Sequence, residues 1–210
     1  MAKGVAIFDL SETLINLDDL WNNAFISLLE ELGIKMNEEL SGVLTNSGYD
    51  SACSYLMDYY RVPYSHSDLL RKLAHNAISR FHNEITLKDG ALEFINILRN
   101  RNYRTVVLAS GNPLIMQMAK NHFKDTLIMD EWINTREIQS AKNEPELYRN
   151  LADKYKVPLD SCYLFEDIEE VIKSANKAGI KTIYIGEGNS SSANYSSTSF
   201  VELCSCPIIE

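Results

Sequence analysis

Short apolar runs that stop abruptly at polar residues recur four times in this chain, and that recurrence constrains the fold more than any other feature. Val5-Ala6-Ile7-Phe8 ends at Asp9-Leu10-Ser11-Glu12-Thr13, and Thr105 to Ala109 ends at Ser110-Gly111-Asn112-Pro113. Cys162 to Phe165 ends at Glu166-Asp167, and Thr182 to Ile185 ends at Gly186. Unbroken runs of this length, without alternation, are the pattern of strands buried on both faces. Leu127-Ile128-Met129 is a weaker fifth candidate. Apolar residues at helical spacing lie between the runs. Leu92, Ile95 and Leu98 follow a candidate N-cap at Asp89, and Leu114, Ile115 and Met118 follow Pro113. Ile168, Val171, Ile172, Ala175 and Ala178 lead to Gly179, a natural helix terminator. Strand and helix in alternation predict an α/β fold: a Rossmann-like parallel sheet with helices on both faces.

One segment breaks the alternation. From residue 17 to residue 85 no convincing strand occurs, while Leu20, Ala24, Phe25, Leu28, Leu29 and Leu32 mark an amphipathic helix, with further helical patterns at Ser54 to Tyr60 and Asp68 to Phe81. The expectation is a core domain of residues 1–16 and 86–210 with a small inserted α-helical domain, residues 17–85. The insert carries Tyr49, Tyr55, Tyr59, Tyr60 and Tyr64, which we expect mainly as its core, and His75 and His82 as surface or packing residues. Gly188 to Ser199 is polar and low in complexity and is expected as a mobile surface loop.

Composition narrows the partners. Twenty Lys and Arg against 29 Asp and Glu give a net charge of −9, and no basic patch interrupts it, so nucleic acid and anionic membrane surfaces are disfavoured. No apolar stretch is long enough to span a bilayer and the N-terminus lacks the form of a signal peptide, so a cytoplasmic protein is expected, as a monomer or weak dimer. Cys53, Cys162, Cys204 and Cys206 show no zinc-ligand spacing and are expected as free thiols, the last two in a loose tail.

Asp9, Ser110 and the Glu166-Asp167 pair each follow an apolar run directly, which sets them at the carboxyl edge of the predicted sheet, where open α/β sheets build their sites. With Lys142 they make a set suited to phosphoryl transfer onto a carboxylate: a nucleophile, a donor to phosphoryl oxygens, a cation, and acids able to hold a metal.

In these residues the chain resembles the haloacid dehalogenase-like superfamily, in the branch with a helical cap inserted after the first strand. The four motifs are Phe8-Asp9-Leu10-Ser11-Glu12-Thr13-Leu14-Ile15-Asn16, Val107 to Asn112, Lys142-Asn143-Glu144-Pro145-Glu146-Leu147-Tyr148, and Leu164-Phe165-Glu166-Asp167 with the helix ending at Gly179. The resemblance implies that Asp9 is the nucleophile and forms an aspartyl phosphate, and that Ser110 and Lys142 serve catalysis. It implies phosphate binding by Thr13, Ser110, Gly111, Asn112 and Lys142, and Mg²⁺ held by Asp9, the Ser11 carbonyl, Glu166 and Asp167. Residues 17–85 would then be the cap that closes over a small phosphorylated substrate.

Two departures matter. Where the family's phosphatases usually carry a second Asp, acting as general acid and base, this chain has Ser11, whose hydroxyl cannot do that work at neutral pH; Glu12 replaces the usual Gly beside it. Val171 stands where many relatives have another acid. The reading is a Mg²⁺-dependent phosphatase-like hydrolase of small phosphorylated metabolites. The alternatives are a catalytically impaired phosphate- or metabolite-binding protein, a haloacid dehalogenase, and, more weakly, a phosphomutase.

Overall fold

The computed structural model describes residues 2–206. The chain divides into two compact units, Met1–Asn16 with Thr86–Glu210, and Leu17–Ile85.

The first unit is built on six strands: β1 (Gly4–Asp9), β2 (Tyr103–Ala109), β3 (Glu131–Asn134), β4 (Cys162–Glu166), β5 (Lys181–Ile185) and β6 (Tyr195–Ser197). They form one sheet in the order β3-β2-β1-β4-β5-β6, with every neighbouring pair parallel. The order reverses direction at β1 and β4, which opens a crevice at their carboxyl ends. The helices of this unit are α4 (Ala91–Asn100), α5 (Pro113–His122), α6 (Pro145–Tyr155), α7 (Glu169–Ala178) and α8 (Phe200–Cys204). Because strand side chains alternate between faces, Val5, Ile7, Leu164 and Val106 bury against α6 and α7 through Leu147, Leu151, Val171 and Ala175. On the other face Phe8 stacks on Phe165 with ring centroids 4.6 Å apart and both meet Phe200 of α8, while Phe94 of α4 meets Phe165 edge-on at 5.3 Å. The parallel sheet with helices on both faces is as expected.

Several details differ from the sequence expectation. The fifth strand is not Leu127-Ile128-Met129 but β3, four residues later. Leu127 turns its N–H back onto the Phe123 carbonyl and Ile128 is exposed, so pairing with β2 starts only at Glu131, opposite Val106. Asp89 does not cap α4; Gly90 does, in a left-handed conformation (φ 78°), and a Cβ there would lie 2.5 Å from the Val201 nitrogen of α8. The expected loop at 188–199 contains β6, which pairs with β5, while Ser190 Oγ accepts the Ser192 and Ala193 N–H groups. All four cysteines are free thiols, and Cys204 ends α8 and is not part of a loose tail.

The second unit is helical: α1 (Asp18–Glu31), α2 (Glu38–Tyr60), interrupted at Gly48 (φ 75°), and α3 (His66–Glu84). Leu20, Phe25 and Leu28 of α1, Leu56 of α2, and Leu73 and Phe81 of α3 are buried. The tyrosines are not its core. Tyr59 is exposed, and Tyr55 and Tyr60, half-buried, pack against it and each other near the end of α2. His75 and His82 are exposed. No helix among the described residues is long and apolar enough to cross a membrane.

Candidate active site

Strand pairing brings the acids together. Phe8 of β1 pairs with Phe165 of β4, so the next residues, Asp9 and Glu166, end adjacent strands on the α6/α7 face, with Asp167 one residue beyond. Carboxylate oxygens of Asp9, Glu166 and Asp167 lie within 4.8 Å of one another. Lys142, in the approach to α6, donates from Nζ to Asp9 Oδ1 and, at 3.0 Å, to Glu166 Oε2. All three of these groups are buried. Tyr148, one turn into α6 and wholly buried, donates its hydroxyl to the Lys142 carbonyl at 2.7 Å and so fixes the backbone from which the lysine reaches. Thr13 Oγ1 donates to Asp167 Oδ1 at 3.3 Å.

Burial sets the protonation of this cluster. It pushes the Glu166 carboxyl up to about 8, helped by the Asp9 charge and only partly opposed by Lys142. Asp9 is raised by burial as well, with Lys142 pulling the other way. Burial alone would lower the Lys142 ammonium, but the Asp9 and Glu166 charges outweigh it and the group stays cationic. Three carboxyls sharing one lysine lack positive charge, and the hard oxygen donors suit a small divalent cation such as Mg²⁺. They do not fit it equally. Glu166 Oε2 faces Lys142 and its Oε1 accepts the Asp167 and Ile168 N–H groups at 3.2 Å each, so its oxygens are already engaged.

The second motif lies on the neighbouring strand. Asp9 pairs with Leu108 of β2, which places exposed Ser110, Gly111 and Asn112 just past the sheet edge. They share no hydrogen bond with the carboxylate cluster among the described residues. Asn112 Oδ1 caps α5 by accepting the Leu114 N–H at 3.0 Å. The segment after β3 clips this loop: Thr135 N–H donates to the Ala109 carbonyl at 2.8 Å, Arg136 Nε to that of Ser110 at 3.2 Å, and Asn134 Nδ2 to that of Gly111 at 3.2 Å. In a trans peptide the N–H points opposite to the C=O of the same unit, so the amides of Ser110, Gly111 and Asn112 point away from the carbonyls that the clip holds.

Ser11 is exposed and its backbone bridges to Ile15. Glu12 is left-handed (φ 60°), a conformation that glycine adopts without cost, and its Oε2 accepts from Lys88 Nζ at 3.1 Å. Val171 is buried in the core against the sheet. Sequence reasoning gave no role to Tyr148, Asn134, Arg136 or Lys88. The first was visible as a large aromatic six residues after Lys142. Placing the fifth strand four residues early hid Asn134, the last residue of the true strand, and Arg136, two residues beyond it.

The family model for haloacid dehalogenase-like hydrolases matches residues 6–185. The validoxylamine A 7'-phosphate phosphatase of Streptomyces hygroscopicus subsp. limoneus is 25% identical over 179 residues, 84% of this chain and 82% of that protein. The phosphorylated carbohydrates phosphatase of Thermotoga maritima is 20% identical over 185 residues, 85% of this chain and 82% of that one. Among solved structures, YfnB from Bacillus subtilis, with magnesium bound, superposes with a TM-score of 0.76 at 15% identity, covering 97% of each chain. The match over residues 6–185, a span that includes Asp9, Ser110, Lys142 and Glu166, establishes that this chain belongs to the haloacid dehalogenase-like hydrolase family.

Proposed function

We propose that this protein is a phosphoric monoester hydrolase that uses Mg²⁺, acts on small phosphorylated metabolites and works through an aspartyl phosphate at Asp9. The observation that carries the reading is the buried cluster in which Lys142 bridges Asp9 and Glu166 beside Asp167. Lys142 orients the Asp9 carboxylate and screens it from an incoming phosphate dianion. The amides of Ser110, Gly111 and Asn112, with the Ser110 hydroxyl, receive the phosphoryl oxygens. An Asp9 oxygen attacks phosphorus, the bond to the leaving oxygen breaks, and water then attacks the acyl phosphate, restoring the carboxylate and releasing phosphate. Asp9, Asp167 and the Ser11 carbonyl would hold the cation directly, with Glu166 behind them through water, and Thr13 fixing Asp167. When bound, Mg²⁺ supplies positive charge against the phosphoryl oxygens. We read residues 17–85 as the cap over the substrate.

Ser11 favours a second reading, a metabolite-binding protein with little turnover, because no carboxyl stands at its position to protonate a poor leaving group. A dehalogenase is disfavoured, since Glu166 and Asp167 would oppose an anionic haloacid for no gain. The deciding experiment is hydrolysis of an aryl phosphate, whose leaving group hardly needs that proton, with and without Mg²⁺. Turnover that requires Mg²⁺ and is abolished in Asp9→Asn is the expected result; turnover that persists in chelator or in Asp9→Asn refutes the mechanism.

A further inference from the structure

We infer that a cleft between the start of α6 and the middle of α7 is a second anion site, which takes a phosphate group apart from the catalytic carboxylates. The cleft, of about 320 Å³, is lined by Asn143, Pro145, Glu170, Lys173, Ser174 and Lys177, and by none of Asp9, Ser110, Glu166 or Asp167. On α7 these residues recur at i, i+3, i+4 and i+7, one stripe of the helix with Ser174 within it. Ser174 is 5% exposed, and its Oγ is the one buried side-chain polar atom without a hydrogen-bond partner among the described residues. A serine inside a helix can donate to the carbonyl four residues back. This one does not, so its hydroxyl is an unused donor in the wall of the cleft. A buried hydroxyl without a partner is unfavourable, and an acceptor entering the cleft would relieve it.

The rest of the wall decides which acceptor fits. Lys177 takes part in no ion pair among the described residues, and the nearest acid to Lys173 is Glu169, at 4.0 Å. Two lysines against Glu170, the one acid in the wall, leave it positive in a chain of net charge −9. The start of α6 adds to this. Pro145 has no N–H, the Glu146 N–H has no hydrogen-bond partner among the described residues, and the N-cap residue Glu144 turns its carboxylate back onto Ser140 Oγ at 2.8 Å and the Ala141 N–H at 3.2 Å. The positive end of an 11-residue helix is therefore uncapped beside Asn143 and Pro145. Hydroxyl, ammonium groups and helix N-terminus all donate, which suits an oxyanion with several acceptor oxygens, as phosphate has.

The test titrates inorganic phosphate into the isotope-labelled protein, in chelator and at constant ionic strength, and follows backbone amide resonances. Those of Glu146 and Ser174 should shift together and saturate, while those of Ser110 to Asn112 report the catalytic edge separately. Ser174→Ala and Lys177→Gln should each weaken the binding seen at Glu146 by about tenfold, and Glu170→Gln should tighten it several-fold. Without phosphate, Ser174→Ala should unfold at no lower a urea concentration than the wild-type protein, because the hydroxyl it removes has no partner to lose. No saturable shift at Glu146 and Ser174, an affinity unchanged in either Ser174→Ala or Lys177→Gln, or weaker binding in Glu170→Gln overturns the inference. A lower urea midpoint for phosphate-free Ser174→Ala overturns it as well, since the hydroxyl would then serve the fold. None of these residues belongs to the catalytic cluster, so either result leaves the phosphatase reading as it is.

Discussion

Replacing Lys142 by Met keeps a flexible apolar stem in the same slot but removes the one cation that faces both Asp9 and Glu166. The side chain of Lys142 is 4% exposed, and those of Asp9 and Glu166 are 7% and 0%, so water cannot take its place. Breaking a buried ion pair by removing one partner costs about 3–5 kcal/mol. The protein has a cheaper escape at low pH, because Asp9 can take up a proton instead. Protonating an aspartate of ordinary pKa, about 3.9, costs about 1.4 kcal/mol for each pH unit above that value. This caps the loss at about 2 kcal/mol at pH 5.5, whereas at pH 8 the cap rises above 5 kcal/mol and the full burial penalty is felt. Lys142→Met should therefore lose about 3–5 kcal/mol at pH 8 and no more than about 2 kcal/mol at pH 5.5, read from urea unfolding in chelator at both pH values. Equal losses at the two pH values, or a loss below about 1 kcal/mol at pH 8, would show that Lys142 does not hold these charges in place.

The same cluster predicts how the wild-type protein responds to pH. Glu166 is raised from an ordinary carboxyl value to about 8, so its proton favours the folded state; that contribution is full below about pH 4.3 and is lost as pH climbs toward 8. Metal-free protein should lose stability across that window, and Mg²⁺ affinity should rise over it as a proton is released, seen by calorimetry in buffers of different ionisation heat; a flat affinity contradicts this. At Glu12 the left-handed backbone makes Gly preferable to any other residue, so Glu12→Gly should be about 1 kcal/mol more stable than Glu12→Ala, both having lost the Lys88 ion pair, as denaturant midpoints will show. Ser11→Asp should raise single-turnover cleavage of an alkyl phosphate by roughly 10²–10⁴ and that of an aryl phosphate far less, since only the former needs its leaving oxygen protonated. An unchanged ratio of the two rates would count against a missing acid at position 11.

What was legible in the sequence is what local patterning encodes. Val5 to Phe8, Thr105 to Ala109, Cys162 to Phe165 and Thr182 to Ile185 are apolar but for Thr105 and Thr182 because both faces of a parallel strand are covered, so their position and the residues that end them could be read without coordinates. Asp9, Ser110 and Glu166 were visible for that reason, and Gly179 because a helix ending in a left-handed turn selects glycine. Pairing between distant segments decided the rest. β3, at the sheet edge, reads Glu-Trp-Ile-Asn and has no continuous apolar run; only hydrogen bonds to β2 mark it, as Ser196 and its neighbours in β6 are marked by β5. The left-handed backbone at Glu12 follows from the turn that returns Ile15 to Leu10, against the preference of the residue itself. The proton held by Glu166 depends on its burial and on an aspartate on another strand, against the pull of a lysine 24 positions away, because a carboxyl's charge state reports its surroundings and not its identity. Arg136 sits beside Ser110 for the same kind of reason: 26 residues part them in the chain, and only the parallel pairing of β2 with β3 sets one guanidinium over one carbonyl.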